Sequence, residues 1–411
     1  MARINDAVKR TGVLIVLALA FSALGAVALT SAYARSSHHS SHHGRRPRHA
    51  RHHRAIAVTG GNVALFNRAA YTFPSAPAVA QEAKRYSVMV LQAPWGKLVP
   101  QLHRYNPRLK VYMYQFIMYA RADDPRGLEL CSSLPAAAAH DWFLRGADGQ
   151  PLRVGPAYGL DIGIPSFQRS CAAHAAALAK SAGFDGVFLD GVGALPDYEF
   201  GGRVTVPKYR TQASWMGAMT SFLQTMTGVV HASGLKVIAN IGGPQAWVQW
   251  ASIVDGASEE SWTDGGLGLA QQLPWWKEKL QNVAWSEAHG KLALLHSFST
   301  TQAANVYGLA SMLLVAGGHT SYATSNANYV GAEEWFPEYG LARHLGAPRG
   351  RRRQLRSGVY ERRFANGLVL VNPSAGSVGR VALHGTYSGS GFSHANAVSL
   401  APTSGLILLR G

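Results

Sequence analysis

Between Asn62 and Ser325 the chain repeats one unit eight times: a short apolar run, then a longer stretch with the apolar spacing of a helix. The runs are 62–68, 87–92, 110–116, a fourth closing at Asp190, then 236–242, 253–260, 291–298 and 320–325. Runs this short, apolar on both faces and separated by helices, are the pattern of buried parallel strands. Eight such units in roughly 265 residues match a (β/α)8 barrel. A doubly wound open sheet is the alternative, but no Gly-x-Gly-x-x-Gly follows the first run, which argues against its dinucleotide-binding version. Beyond Gly350 the rhythm changes to short strand-like runs, 358–364, 368–372, 379–383 and 406–410, with Gly, Asn and Ser turns between them. The expected fold is α/β, a (β/α)8 TIM barrel over 58–348 with a small C-terminal all-β domain over 349–411. Ahead of it lie a leader or membrane anchor, 1–34, and a disordered tether, 35–57.

The fourth run sits in Gly183–Glu199, which reads Gly-Phe-Asp-Gly-Val-Phe-Leu-Asp-Gly-Val-Gly-Ala-Leu-Pro-Asp-Tyr-Glu. Asp190 falls where that strand ends. A carboxylate at the end of a wholly apolar strand finds no partner among its neighbours, and burying it unpaired is costly unless the site uses it. In a parallel barrel the C-terminal strand ends are where active-site residues collect. The plainer reading is a loop cap or an arginine partner.

The sixth run ends on two more acids, Glu259 and Glu260. Acids at two nearby strand ends are what glycoside hydrolysis needs: one protonates the leaving oxygen while the other stabilises or attacks the oxocarbenium-like centre. Alternation puts Glu259 and Glu260 on opposite sides, so one faces the site and the other is ion-paired or behind it. Tyr114, Asn240 and His296 also fall near strand ends and offer hydrogen bonds to sugar hydroxyls. Tyr112, Trp262, Trp275, Trp276 and Tyr322 offer rings for stacking on sugar faces, with core or rim packing as the plainer reading of each. His-Glu-x-x-His, Gly-x-Ser-x-Gly and Walker-type loops are all missing, so zinc peptidase, serine hydrolase and nucleotidase chemistry lack their usual marks. No metal and no cofactor is expected.

Lys9 and Arg10 precede an uncharged apolar run from Gly12 to Ala32, and Ala32-Tyr33-Ala34 has the small-x-small form of a signal-peptidase site. The expectation is export to a secreted or extracytoplasmic location. The run is also about as long as a membrane span needs, so an uncleaved anchor is the alternative. Residues 35–54 are almost only His, Arg, Ser, Gly, Pro and Ala, too polar to bury a core, and read as a solvated tether, with metal or an anionic cell-envelope polymer as its conceivable ligands. Residues 1–54 hold nine Lys or Arg and one Asp, so +8 of the chain's +17 lies there and +9 remains for the folded part. That balance suits a domain working near anionic polymers. Nucleic acid is not expected, because the basic run Arg349–Arg356 contains no aromatic residue and no nucleic-acid motif accompanies it. Cys131 and Cys171 form a disulfide or remain two thiols; export permits the former.

Four segments together, Phe-Asp-Gly-Val-Phe-Leu-Asp-Gly (184–191), Val-Asp-Gly-Ala-Ser-Glu-Glu-Ser-Trp (254–262), Tyr-Gly-Leu-Asp-Ile-Gly-Ile-Pro (158–165) and Asn-Gly-Leu-Val-Leu-Val-Asn-Pro (366–373), resemble hypothetical glycosyl hydrolase family 15. That group is similar to the barrel clan of the α-galactosidases and the polygalactosaminidases of glycoside hydrolase family 114. The resemblance covers roughly residues 60–375. It implies a (β/α)8 barrel with a small C-terminal β domain, a fourth-strand Asp as nucleophile and a sixth-strand acid as general acid/base. The first role maps onto Asp190. The related barrels read Asp-Gly-x-x-x-Glu with an aromatic soon after, which aligns the second role with Glu260, and Glu259 is the alternative. Where such proteins show Asp-x-x-Asn-Pro, this chain has Asp161-Ile-Gly-Ile-Pro165, which lacks the Asn and leaves Asp161 as the candidate sugar contact.

The expected function is therefore an exported glycoside hydrolase acting on an extracellular or cell-envelope polysaccharide through two carboxylates with retention. Asp190 is the nucleophile and Glu260 the proton donor, whose pKa apolar neighbours such as Trp262 would raise. Retention predicts carboxyl groups about 5 to 5.5 Å apart, and inversion about 6.5 to 9.5 Å. The alternative is a carbohydrate-binding or envelope-attachment barrel that does not catalyse.

Overall fold

The computed structural model describes residues 66–67, 76–196, 200, 204–263, 269–298, 301–325 and 336–411. The leader or anchor and the tether expected over 1–57 lie outside the described residues. Among the described residues no helix is long and apolar enough to cross a membrane.

Eight parallel strands pair in chain order: β1 (Phe66–Asn67), β2 (Val88–Leu91), β3 (Lys110–Phe116), β4 (Gly186–Gly193), β5 (Lys236–Gly242), β6 (Gly256–Glu259), β7 (Leu292–Phe298) and β8 (Thr320–Ser325). The last returns beside the first, which closes the barrel. The connecting helices are α1 (Ala76–Arg85), α2 (Val99–Tyr105), α3 (Pro165–Ser181), α4 (Gln212–Ala232), α5 (Trp247–Ala251), α6 (Leu269–Ala288), α7 (Gln302–Leu313) and α8 (Glu338–His344). Their starts carry local signals. Thr211 and Ser214 form a reciprocal capping box at α4, Thr301 caps α7, and Pro165 opens α3.

β2, β4 and β6 are buried throughout, while β3 and β5 each open on an exposed lysine, Lys110 and Lys236. Those lysines belong to a clasp that the fold uses twice at the N-terminal mouth. Asp185 accepts from Lys110 Nζ (2.8 Å), His103 Nε2 (3.0 Å) and the Val111 N–H (2.9 Å). Asp255 repeats the pattern with Lys236 Nζ (2.9 Å), His231 Nε2 (2.7 Å) and the Val237 N–H (2.9 Å). Each clasp ties the residue before one strand to the start of the preceding strand. Above them, the barrel interior is filled in layers. A Cβ on Gly186 would lie 2.2 Å from the Lys236 carbonyl and 2.9 Å from the Tyr112 ring, so only glycine leaves that ring its place. Tyr114 and Phe188 stack in the next layer, centroids 6.3 Å apart.

The irregular insertion between β3 and α3 holds a short helix, Leu134–Ala139, and a three-stranded antiparallel sheet of Tyr119–Ala120, Ala157–Gly159 and Arg153–Val154. Cys131 in the insertion and Cys171 in α3 form a disulfide, Cα atoms 4.9 Å apart. Beyond the barrel, six antiparallel strands run in the order β9-β10-β11-β14-β12-β13: β9 (Arg353–Gln354), β10 (Tyr360–Arg363), β11 (Gly367–Asn372), β12 (Val378–Gly389), β13 (Phe392–Leu400) and β14 (Ser404–Arg410). One face gathers Val359, Leu368, Leu370, Leu383, Leu406 and Leu408 into a core of its own. The other presents Val369, Val371 and Ile407 to the barrel's core beside α7. The long β12–β13 hairpin exceeds the 379–383 run read from sequence, because its second half is Gly- and Ser-rich and bulged, with His384, Ser390 and His394 at positive φ.

Candidate active site

Residues Gly186, Phe188 and Asp190 point into the barrel, so β4 delivers Asp190 to its C-terminal mouth. The carboxylate is buried, 4% exposed, and held from three sides. Tyr114 of β3 donates its hydroxyl to Oδ2 (2.6 Å). Asn240 of β5 donates Nδ2 to Oδ1 (2.9 Å), and the Gly191 N–H donates to the same oxygen (3.0 Å). Gly191 sits at φ +83°, where a Cβ would also meet the Met118 side chain at 2.9 Å; the Asp-Gly pair is what lets the backbone N–H turn back on its own carboxylate. Donors from three strands lock the carboxylate's rotamer.

Glu260 follows directly on β6 and is half-buried. Its Oε2 accepts from the same Asn240 Nδ2 at 2.8 Å. One amide nitrogen therefore bridges both acids. Bonds of 2.9 and 2.8 Å from a single nitrogen cap the separation of the two oxygens below about 6 Å, and an ordinary ~120° spread of the amide hydrogens puts them about 5 Å apart. His296, at the end of β7 and 2% exposed, meets the Glu260 carbonyl through Nδ1 (3.3 Å) and crosses Phe298 edge-on. Asp190, Glu260, Asn240, Tyr114 and His296 are thus brought together.

Glu259 points the other way. It lies 3.1 Å from Lys279 Nζ of α6 and accepts from the Ser261 N–H (3.0 Å), while Lys279 also donates to the Ser261 carbonyl. It is an ion-paired link between β6 and α6, so the fallback acid is outside the site.

Five expected sugar contacts are elsewhere. Tyr112 lies four residues below Phe116, level with Gly186 near the N-terminal clasps; burial and then the Asp185 and Asp255 charges push its phenol well above the usual range. Tyr322 faces outward and donates to the Asn305 carbonyl of α7 (3.4 Å), because its neighbour in register, Leu295, alternates out of phase with His296. Trp262 is 1% exposed and spends its indole N–H on the Gly308 carbonyl (2.9 Å), turned onto α7, so neither stacking on sugar nor an apolar wall for Glu260 is its place. Asp161 is occupied by Tyr209 Oη (2.5 Å), Lys208 Nζ (2.6 Å) and the Gly163 N–H (3.0 Å), a clasp between the insertion and the segment before α4. The same fate meets Trp276, whose indole N–H bonds Ser311 Oγ (3.0 Å) and whose ring crosses Tyr360 of the β domain.

The mouth holds one acid that sequence reasoning missed. Gln92, which ends β2, donates Nε2 to Glu129 Oε1 (2.8 Å), and Arg121 approaches Oε2 (3.3 Å). Burial raises the Glu129 carboxyl more than Arg121 lowers it. Glu129 sits in the irregular insertion, where no periodicity signals an inward-facing side chain; Gln92 closing an apolar run was the available hint. Among the described residues no group of three or more His, Cys, Asp or Glu is placed to hold a metal.

The model of hypothetical glycosyl hydrolase family 15 matches residues 103–368, well over half of the chain. No curated protein matches it. Solved structures similar to it include the maltogenic α-amylase AmyB of Thermotoga neapolitana, at 12% identity over 84% of this chain and 96% of that one, TM-score 0.49. Another is a GH27 β-L-arabinopyranosidase of Geobacillus stearothermophilus, at 11% identity over 88% and 100%, TM-score 0.47. Neither bears on what this chain hydrolyses.

Proposed function

The chain belongs to hypothetical glycosyl hydrolase family 15 and is by that membership a glycoside hydrolase; from that premise we propose that Asp190 and Glu260 carry the reaction with retention of configuration. The observation that supports this most is the single Asn240 amide shared by both carboxylates, which holds them at the spacing of about 5 to 5.5 Å that retaining enzymes use. Asp190, oriented by Tyr114, Gly191 and Asn240, attacks the anomeric carbon. Glu260 gives its proton to the departing glycosidic oxygen, and a glycosyl ester on Asp190 results. Glu260, now a carboxylate, takes a proton from water, whose oxygen displaces Asp190 and returns it to the anion. Because Tyr114, Gly191 and Asn240 already point at the carboxylate, little reorganisation accompanies each step.

The substrate in this reading is an extracellular or cell-envelope polysaccharide, reached by export of the chain; the apolar run 12–32 and the small-x-small segment at 32–34 support that reading. Proton NMR of the first-formed anomer tests the mechanism. Retention is expected, and first-formed inverted product would contradict it.

A further inference from the structure

The charge of this chain is segregated. Residues 349–411 hold nine Arg, no Lys, no Asp and Glu361 as their one acid, a net +8, whereas residues 55–348, more than four times as long, hold +1. The +9 of the folded part is thus almost wholly the charge of the β domain. Surfaces ordinarily intersperse both signs, and unrelieved like charge destabilises the compact state, so a block of this kind asks for a counter-charge from outside.

The structure separates the arginines that the fold uses from those it leaves over. Arg362 is buried and donates to the Leu313 (2.8 Å) and Ala316 (2.7 Å) carbonyls at the end of α7 and to Gly350 (3.2 Å). It fastens the β domain to the barrel, and burial lowers its guanidinium to about 10. Arg353 and Arg363 both reach Glu361 Oε1 (2.9 and 2.8 Å), whose side chain is 2% exposed, so the domain's only acid is internally consumed. Of the other six, Arg352 is half-buried and Arg380 and Arg410 lie on β12 and β14, while Arg349, Arg351 and Arg356 are exposed beside β9, and none of these three has an ion pair among the described residues. Arg349 and Arg351 lie on the segment that leads into β9 at the free edge of the sheet, where the Arg349 N–H bonds the Arg363 carbonyl of β10, and Arg356 lies in the turn between β9 and β10. Arg353, its side chain still 56% exposed, continues the line. Charged side chains, especially Lys, protect free sheet edges, but this domain has no Lys and its edge carries arginine. Arginine forks in a row suit oxyanions that accept two hydrogen bonds each. Alternate residues of an extended strand stand about 7 Å apart, so Arg351 and Arg353, leading into β9, suit successive anions of a linear chain. Among the described residues the exposed large apolar side chains, Tyr105 and Val248, are both on the barrel and not on this edge, which does not favour stacking of bases there.

We propose that the 349–356 edge of the β domain is a docking surface for a linear anionic glycan bearing carboxylate or phosphate groups, which it holds beside the near-neutral barrel. The full chain, its R349Q/R351Q/R356Q variant and a charge-matched tether control, R45Q/R46Q/R48Q, are compared for binding to polygalacturonate, poly(glycerol phosphate), neutral dextran and oligo(dT) over a salt series. The edge variant is expected to bind the two anionic polymers about tenfold or more weaker at low salt with a shallower salt dependence, as fewer counterions are released. The tether control is expected to keep most of that binding. An unchanged melting temperature shows that the edge variant is folded, since the three side chains are exposed. Preference for polygalacturonate or for poly(glycerol phosphate) identifies which oxyanion the edge takes. Equal binding by the edge variant and the parent, loss confined to the tether control, equal binding to dextran, or tighter binding of oligo(dT) than of either glycan would each overturn the proposal.

Discussion

Asp185 and Asp190 stand five residues apart, one just before β4 and one within it, each followed by glycine, and they end at opposite mouths of the barrel, roughly 16 Å apart along the strand. Asp185 is closed off by a histidine from α2 and by a lysine and a backbone N–H from the start of β3. Asp190 is held by neutral donors from three different strands, one of which is shared with a second acid. A cationic partner neutralises a carboxylate and makes it a fastener. Neutral donors orient it and leave its charge available to a developing positive centre. The N-terminal mouth repeats the fastener at Asp255; the C-terminal mouth holds Asp190 with Glu260 instead.

The comparison breaks most visibly at Asp190. Asp190→Asn is expected to lower kcat on the order of 10^4-fold or more, because the nucleophile is lost. Its melting temperature stays level, since the amide keeps the shape of the carboxyl group and an acceptor oxygen for the surrounding donors. Glu260→Gln comes next, about 10^2- to 10^4-fold in kcat, with the loss smaller on aryl glycosides whose leaving groups need no proton. Asn240→Ala unlinks the two acids and costs on the order of 10^2-fold in kcat, while Glu259→Gln, on the other face of β6, leaves steady-state kcat within a few-fold of the parent.

At the opposite mouth the expected effects move from activity to stability. Asp185→Ala removes the acceptor of three bonds, one of them to a half-exposed lysine, and is expected to cost about 2–4 kcal/mol in urea unfolding with kcat kept. The smallest effect is a pH dependence. Burial raises the Asp255 carboxyl, but bonds from His231, the Val237 N–H and Lys236 outweigh it and hold the group below the usual carboxylate range. A depressed folded pKa contributes stability above the usual range of about 3.9 and loses it as pH falls through the folded value. Urea unfolding of the parent and Asp255→Asn at pH 7 and again near pH 3 is therefore expected to show a stability gap that narrows toward acid; a gap that widens contradicts the clasp.

Much of this was legible in the chain because barrel strands are short and apolar and helices have their own period. All eight strands and the long helices α3, α4 and α6 fall where the rhythm places them, whereas α5, five residues long, carries too little periodicity to be read. For the site, the residue types at strand ends were readable, and alternation correctly separated Glu259 from Glu260. What the pattern does not carry is height and phase around the barrel. Tyr112 and Tyr114 share a face yet sit in different layers, and Tyr322 is out of phase with the interior. Nor can it tell a polar group engaged with the site's acids from one spent elsewhere, which is the difference between Asn240 and Asp161. The bridging role of Asn240 needed the register between β4, β5 and β6.

The most direct test of the central claim is reducing-sugar release from a panel of α- and β-linked polysaccharides by the parent, Asp190→Asn and Asp185→Asn, with melting temperatures taken alongside. The account predicts release by the parent and by Asp185→Asn, the latter with a lowered melting temperature, and none by a fully folded Asp190→Asn. Release that survives in Asp190→Asn, or that disappears in a folded Asp185→Asn, would contradict it.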